Sequence, residues 1–190
     1  MTSRRDELAH AATDWALEHG LIGLSLRPLA ADLGTSDRML LYHFGDKDQL
    51  IAAMLRVSVD WSVSTLHAMP PAPDVRAAVV ALWAVMTSER MDRCQRMYVE
   101  AAALGLLGRE PYASVVGEAN ERWTEALADQ LVAAGSSEEL ARRAVVLMDA
   151  AFMGFQLDLP LDAGDPVVEV AVQDLADAVV AITGSGQGSA

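Results

Sequence analysis

Apolar positions along the chain recur every three or four residues, and runs that alternate strictly between apolar and polar are missing, so the pattern predicts helices and no strands. In the segment from Ser3 to His19, positions Leu8, Ala11, Ala12, Trp15 and Ala16 share one helical face, and Gly20 supplies a left-handed stop. A short helix is expected over 26–33, with Ser25 as its cap and Pro28 in its first turn, where a missing N–H is harmless. Gly34 ends it, and a second short helix follows from Ser36 to His43. Asp46 and Gln49 have capping-box spacing and open a long helix to Ala68, stopped by Pro70-Pro71-Ala72-Pro73. Further helices are expected over 74–87, 89–107 and 111–134. Another runs over 136–157, where Ser136 and Glu139 form a second capping-box signature, and the last over 166–182. Residues 160–166 read as a loop and the glycine-rich end from Gly184 as a flexible tail. The expected fold is all-α, with about nine helices and no internal repeat.

The stretch Ser25 to Phe44 carries the most information. It reads as two short helices joined at Gly34-Thr35, with Leu29, Ala30 and Leu33 facing Leu40 and Phe44. Ala30 is small enough to let the two axes approach. A helix-turn-helix of this kind lays its second helix in the DNA major groove. Its exposed residues would be Asp37, Arg38, Met39 and Tyr42. Arg38 can grip a guanine edge with two hydrogen bonds, Met39 can touch a thymine methyl, and Tyr42 can donate to a phosphate. Lys47 can meet phosphate beside the free N–H groups at the next helix start. Arg27, Thr35, Ser36 and His43 complete the candidate DNA-binding set.

Charge runs the other way. Fourteen basic residues stand against 27 acidic ones, for a net −13. The part through Arg56 holds 6 basic and 8 acidic residues, so most of the excess lies beyond it. Composition alone therefore argues against nucleic acid, because phosphate contacts call for basic surface. The single cysteine, Cys94, leaves no disulfide framework and suits a reducing compartment. The longest apolar run, Ala77 to Met86, is too short to span a bilayer, and the polar N-terminus has no secretory pattern, so a cytoplasmic location is expected.

Residues 4–55 resemble the N-terminal domain of TetR-family transcriptional regulators. The likeness runs through Leu8, Ala11-Ala12, Trp15, Gly20, Ser25-Leu26-Arg27, Leu29-Ala30, Gly34, Ser36, Leu40, Tyr42-His43-Phe44, Lys47 and Leu50. The resemblance implies a DNA-binding domain at 1–46, a ligand-binding and dimerisation domain at 47–183, and a tail at 184–190. It also implies a homodimer on a palindromic double-stranded DNA operator, released by a small-molecule effector, with repression as the family's habit. This chain departs from the family pattern at Arg38, where a small residue is usual, and at Met39, where alanine or threonine is common. Leu41 replaces a tyrosine that usually helps hold phosphate, and Asp37 heads the reading helix. A helical ligand- or partner-binding module that has lost DNA binding is the alternative those departures leave open.

Beyond the head, only Asp149 is charged between Ala144 and Phe155, and the last helix has a narrow polar stripe of Glu169, Gln173 and Asp177. These two helices resemble the pair that forms the family's dimer interface, and Leu147, Ala151, Val168, Val172, Leu175 and Val179 are its expected members. The middle helices concentrate large adaptable side chains. Trp61, Trp83, Met86, Cys94, Met97, Tyr98, Trp123, Met148, Phe152 and Phe155 are the candidate ligand-binding set. Glu100, Asp149 and Gln156 are the candidate polar groups among them. A carboxylate in such surroundings would suit a cationic or amine-bearing ligand. Enzyme chemistry is set aside: Glu7-Leu-Ala-His10 is a single metal half-motif, no nucleophile carries a local base, and no cofactor or metal is expected.

Overall fold

The computed structural model describes residues 3–158 and 166–184, so the expected loop at 160–166 lies almost wholly outside the described residues, as does the tail beyond Gly184. The described residues form α1 (Arg4–His19), α2 (Leu26–Asp32), α3 (Asp37–Phe44), α4 (Lys47–His67), α5 (Val75–Met86), α6 (Glu89–Leu106), α7 (Tyr112–Ala133), α8 (Glu138–Asp158) and α9 (Val167–Gly184), with no strand among them.

Local chemistry sets the ends of these helices. Ser3 and Asp6 exchange a reciprocal pair of side chain–backbone bonds at 3.2 Å to open α1, and Asp74 accepts from the Ala77 N–H at 2.8 Å to open α5. Two expected caps differ. Ser25 sits in the N-cap position of α2 but makes no side-chain cap bond. At α8 the capping serine is Ser137, which accepts from the Leu140 N–H, and Ser136 is not the cap. The reason is the turn at Gly135 (φ +104°): it lets the Ser136 N–H bond to the Leu131 carbonyl and close α7, which leaves the next serine to begin α8.

The chain divides into two compact units. The first holds the residues through Ser62 together with Arg93–Glu121. Its core is one hydrophobic cluster drawn from α1 (Leu8, Ala12, Ala16), α2 (Leu29, Ala30), α3 (Leu40, Phe44) and α4 (Leu50 to Leu55), joined by Met97 and Ala101 of α6 and Tyr112 and Val115 of α7. Buried polar groups within it are satisfied: the Thr13 hydroxyl donates to the Ala9 carbonyl at 2.8 Å. The Tyr112 hydroxyl donates to Asp48 at 2.8 Å, and burial, with that carboxylate second, pushes its pKa up to about 12.

The second unit holds Val63–Asp92 and the described residues from Arg122 on. Here α9 packs against α5 and α8. Its buried face is Val172, Leu175, Ala176 and Val179, at helical spacing. This corrects the expected dimer set: Val172, Leu175 and Val179 fill their own subunit's core and are closed to a partner. The sequence offers two apolar faces on this helix, and packing against α5 and α8 takes this one inward.

Candidate nucleic-acid interface

The turn between α2 and α3 is made by backbone. The N–H groups of Leu33, Gly34 and Thr35 bond to the carbonyls of Leu29, Ala31 and Ala30 at 2.9–3.1 Å, with Gly34 at φ +63°. Only glycine adopts that conformation without steric cost. Ser36 then caps α3, its hydroxyl accepting from the Met39 N–H at 3.2 Å. Leu40 and Phe44 anchor α3 in the core, leaving Asp37, Arg38, Met39 and Tyr42 on the outside; Tyr42 is 79% exposed. The Asp37 carboxylate turns back to accept from the Arg38 N–H at 2.8 Å, where the positive end of the helix dipole favours it. Arg27 and Ser36 are exposed, whereas Thr35, His43 and Lys47 are half-buried. Lys47 begins α4, and the Gln49 N–H beside it donates to Asp46 at 2.7 Å.

A residue that the pattern does not single out fixes the other end of the exposed helix. Arg5 of α1 donates from Nε to the His43 carbonyl at 3.2 Å, and its guanidinium lies 5.2 Å from the centre of the Phe44 ring. A cation there meets the negative end of α3 and an aromatic face together. Nothing in the local sequence signals this pairing, because the partners are 38 residues apart. On the opposite side, the Trp15 indole N–H donates to Asp32 at 2.8 Å and ties α1 to α2.

Residues 8–54 match the family profile described as bacterial regulatory proteins, tetR family. Over that quarter of its length the chain is similar to the TetR family. The HTH-type transcriptional repressor KstR2 of Mycolicibacterium smegmatis is 36% identical over 59 residues, which are 31% of this chain and 29% of the repressor. The sequence likeness to that repressor thus spans under a third of its length. In fold the likeness is chain-long. A transcriptional regulator from Rhodococcus sp. superposes with a TM-score of 0.71 at 24% identity over 97% of both chains. The multidrug binding protein EbrR, solved with imidazole, superposes with 0.66 at 21% identity over 94% of this chain and 96% of its own.

The candidate ligand residues divide between the units. Trp61, Cys94, Met97 and Tyr98 lie in the first, where Met97 is committed to the core of the head and Tyr98 donates to Asn120. Glu100 is committed too, which corrects its candidacy as a ligand group. Its carboxylate accepts from the successive N–H groups of Leu21 and Ile22, at the corner that leaves α1. Trp83, Met86, Trp123, Met148, Phe152 and Phe155 lie in the second unit. There the Trp83 ring packs on Phe152 at 5.3 Å and edge-on to Phe155 at 5.7 Å.

Asp149 is largely buried in the second unit and accepts from the Trp123 indole N–H at 2.9 Å. Burial raises its carboxyl pKa above 3.8, more than the indole bond lowers it. The folded protein therefore holds this proton more tightly than the unfolded chain, and stability is lost as pH rises from about 3.8 through the folded pKa. Asp149→Asn keeps an acceptor for Trp123 and removes the titration. The variant is expected to melt above the unsubstituted protein at pH 7, with the gap closing near pH 4, as followed by thermal denaturation across that range.

Proposed function

We propose that the chain is a ligand-responsive transcriptional repressor that binds a palindromic DNA operator as a homodimer. The observation that carries this is the helix-turn-helix itself: α3 anchored inward by Leu40 and Phe44 and presenting Arg38, Met39 and Tyr42 to solvent. One such helix per subunit, repeated across a two-fold axis, reads two half-sites one helical turn of DNA apart. Arg38 reads a guanine, Met39 a thymine methyl, and Arg27, Tyr42 and Lys47 hold phosphates, with Thr35, Ser36 and His43 at the rim. Against the acidic body, the attraction for phosphate rests on the basic groups of the head, so binding falls with salt.

The outward sides of α8 and α9 support a dimer. On α8, Val146 and Leu147 are 72% and 47% exposed, and the stripe continues through Ala150, Gly154 and Leu157. A Cβ built on Gly154 meets nothing within 4 Å, so a second subunit can approach closely there. On α9 Val167, Val170 and Val180 are exposed. Apolar stripes of this kind on adjacent helices are the material of a four-helix interface. Ala151 and Val168 stay in the proposed seam at its half-buried edge.

An effector is assigned to the second unit, among Trp83, Met86, Trp123, Met148, Phe152 and Phe155. EbrR, a multidrug binding protein of the same fold, is complexed with imidazole, which supports a small-molecule effector for this chain. Helix α4 runs unbroken from Lys47 to His67 and is the proposed carrier of the signal to the head, the effector favouring one of two spacings of the heads. Selection of DNA from a random pool with the full-length protein tests the function. An enriched inverted repeat is expected. No enrichment, or a single unrepeated site bound by one subunit, overturns it.

A further inference from the structure

Gln156 of α8 is 7% exposed and its two polar ends fare differently. The Nε2 group donates to the Met86 carbonyl at 3.0 Å. Met86 is the last residue of α5, so its carbonyl has no partner inside the helix and accepts the side chain instead. Turning the amide round would set oxygen against oxygen, so the carbonyl fixes which way the amide points. Oε1 is thereby aimed away from Met86, and it is buried with no donor among the described residues. A buried acceptor left without a donor is costly and rare in native interiors.

The surroundings point to what supplies the donor. Phe152 and Phe155 lie on the same helix, one turn and one residue before Gln156, and Trp83 lies one turn before Met86 and packs on both rings. Asp149 stands seven residues before Gln156 on the same face, about 10 Å along the axis. Gln156 Oε1 and the Asp149 carboxylate are both acceptors on this face, while the Gln156 Nε2 group is turned toward the Met86 carbonyl. A molecule that fits must bring its own hydrogen-bond donor and a body that packs on aromatic rings, and a protonated amine supplies that donor while its charge offsets the Asp149 carboxylate.

Resting on the regulator function proposed above, we infer that the effector is a primary or secondary amine on an aromatic or apolar body, its N–H donating to Gln156 Oε1. A quaternary ammonium ion of the same shape has the charge but no N–H to give.

Calorimetric titration of the full-length protein with 2-phenylethylamine and with its N,N,N-trimethyl analogue tests this. The amine is expected to bind at least ten-fold more tightly, and Gln156→Met to bring the two to equal affinity. No binding of the amine, equal binding of both by the unsubstituted protein, or a preference that survives Gln156→Met overturns it. If Gln156→Met does not fold, the ligand pair on the unsubstituted protein decides alone. An inverted repeat from the DNA selection with no amine preference removes only this inference. A clear preference in a protein that selects no DNA removes the regulator function and keeps the site.

Discussion

Leu147→Glu is expected to yield a folded monomer whose hold on operator DNA is at least a hundred-fold weaker. The side chain is 47% exposed on α8, so a charge there is solvated in the isolated subunit and its stability is little changed. In a two-fold interface the same charge loses its water and faces its own copy across the axis. The loss on DNA follows from linkage. Once one head is bound, its twin is held beside the second half-site, which raises avidity by about 10²–10⁴ over one head alone. Sedimentation analysis and gel shift read the two effects. Val172→Glu is the contrast: that side chain is in the subunit core, and the variant should fail to fold at all. A dimeric Leu147→Glu protein with undiminished operator binding would place the interface elsewhere.

Arg38→Ala is expected to cost about 1–3 kcal/mol of operator affinity per head and to relax the base preference at one position of each half-site. The residue is exposed at the second position of α3, so circular dichroism and melting should barely change. Lys47→Ala should behave differently. A phosphate contact carries no base information, so binding should weaken evenly across sequences and the salt slope should drop by about 1 per head. Competition gel shifts over single-base operator variants, repeated at several salt concentrations, separate the two. An Arg38→Ala protein that keeps full discrimination at every position would remove that residue from the reading set.

The helices were legible because each is bounded by chemistry that acts within four residues: Gly20, Gly34 and Gly135 as stops, Asp74 as a cap, a proline run after α4. The reading helix was legible for the same reason, since Leu40 and Phe44 are one turn apart and leave Arg38 and Tyr42 on the far side. The sequence is ambiguous where a choice depends on distant parts of the chain. Two apolar faces on α9 look alike in sequence, and only packing against α5 decides which goes inward. Glu100 looks like a stray carboxylate in an apolar helix until its partners, 79 residues earlier, are beside it. Arg5 reads as one of two surface arginines, and its role as the C-terminal fastening of α3 needs the fold.

The Glu100 contact bears on how such proteins can be recombined. One carboxylate from α6 holds two consecutive amides at the exit of α1, and Gly20 sits so close that a Cβ there would lie 2.9 Å from that carboxylate. A graft that transplants only residues 1–46 onto a foreign body leaves those amides without their acceptor and takes away Met97, Ala101 and Tyr112 from beneath the cluster. The transferable piece is discontinuous: the N-terminal four helices must travel with the stretch around Glu100 and Tyr112, or the borrowed head will sit askew on its new host.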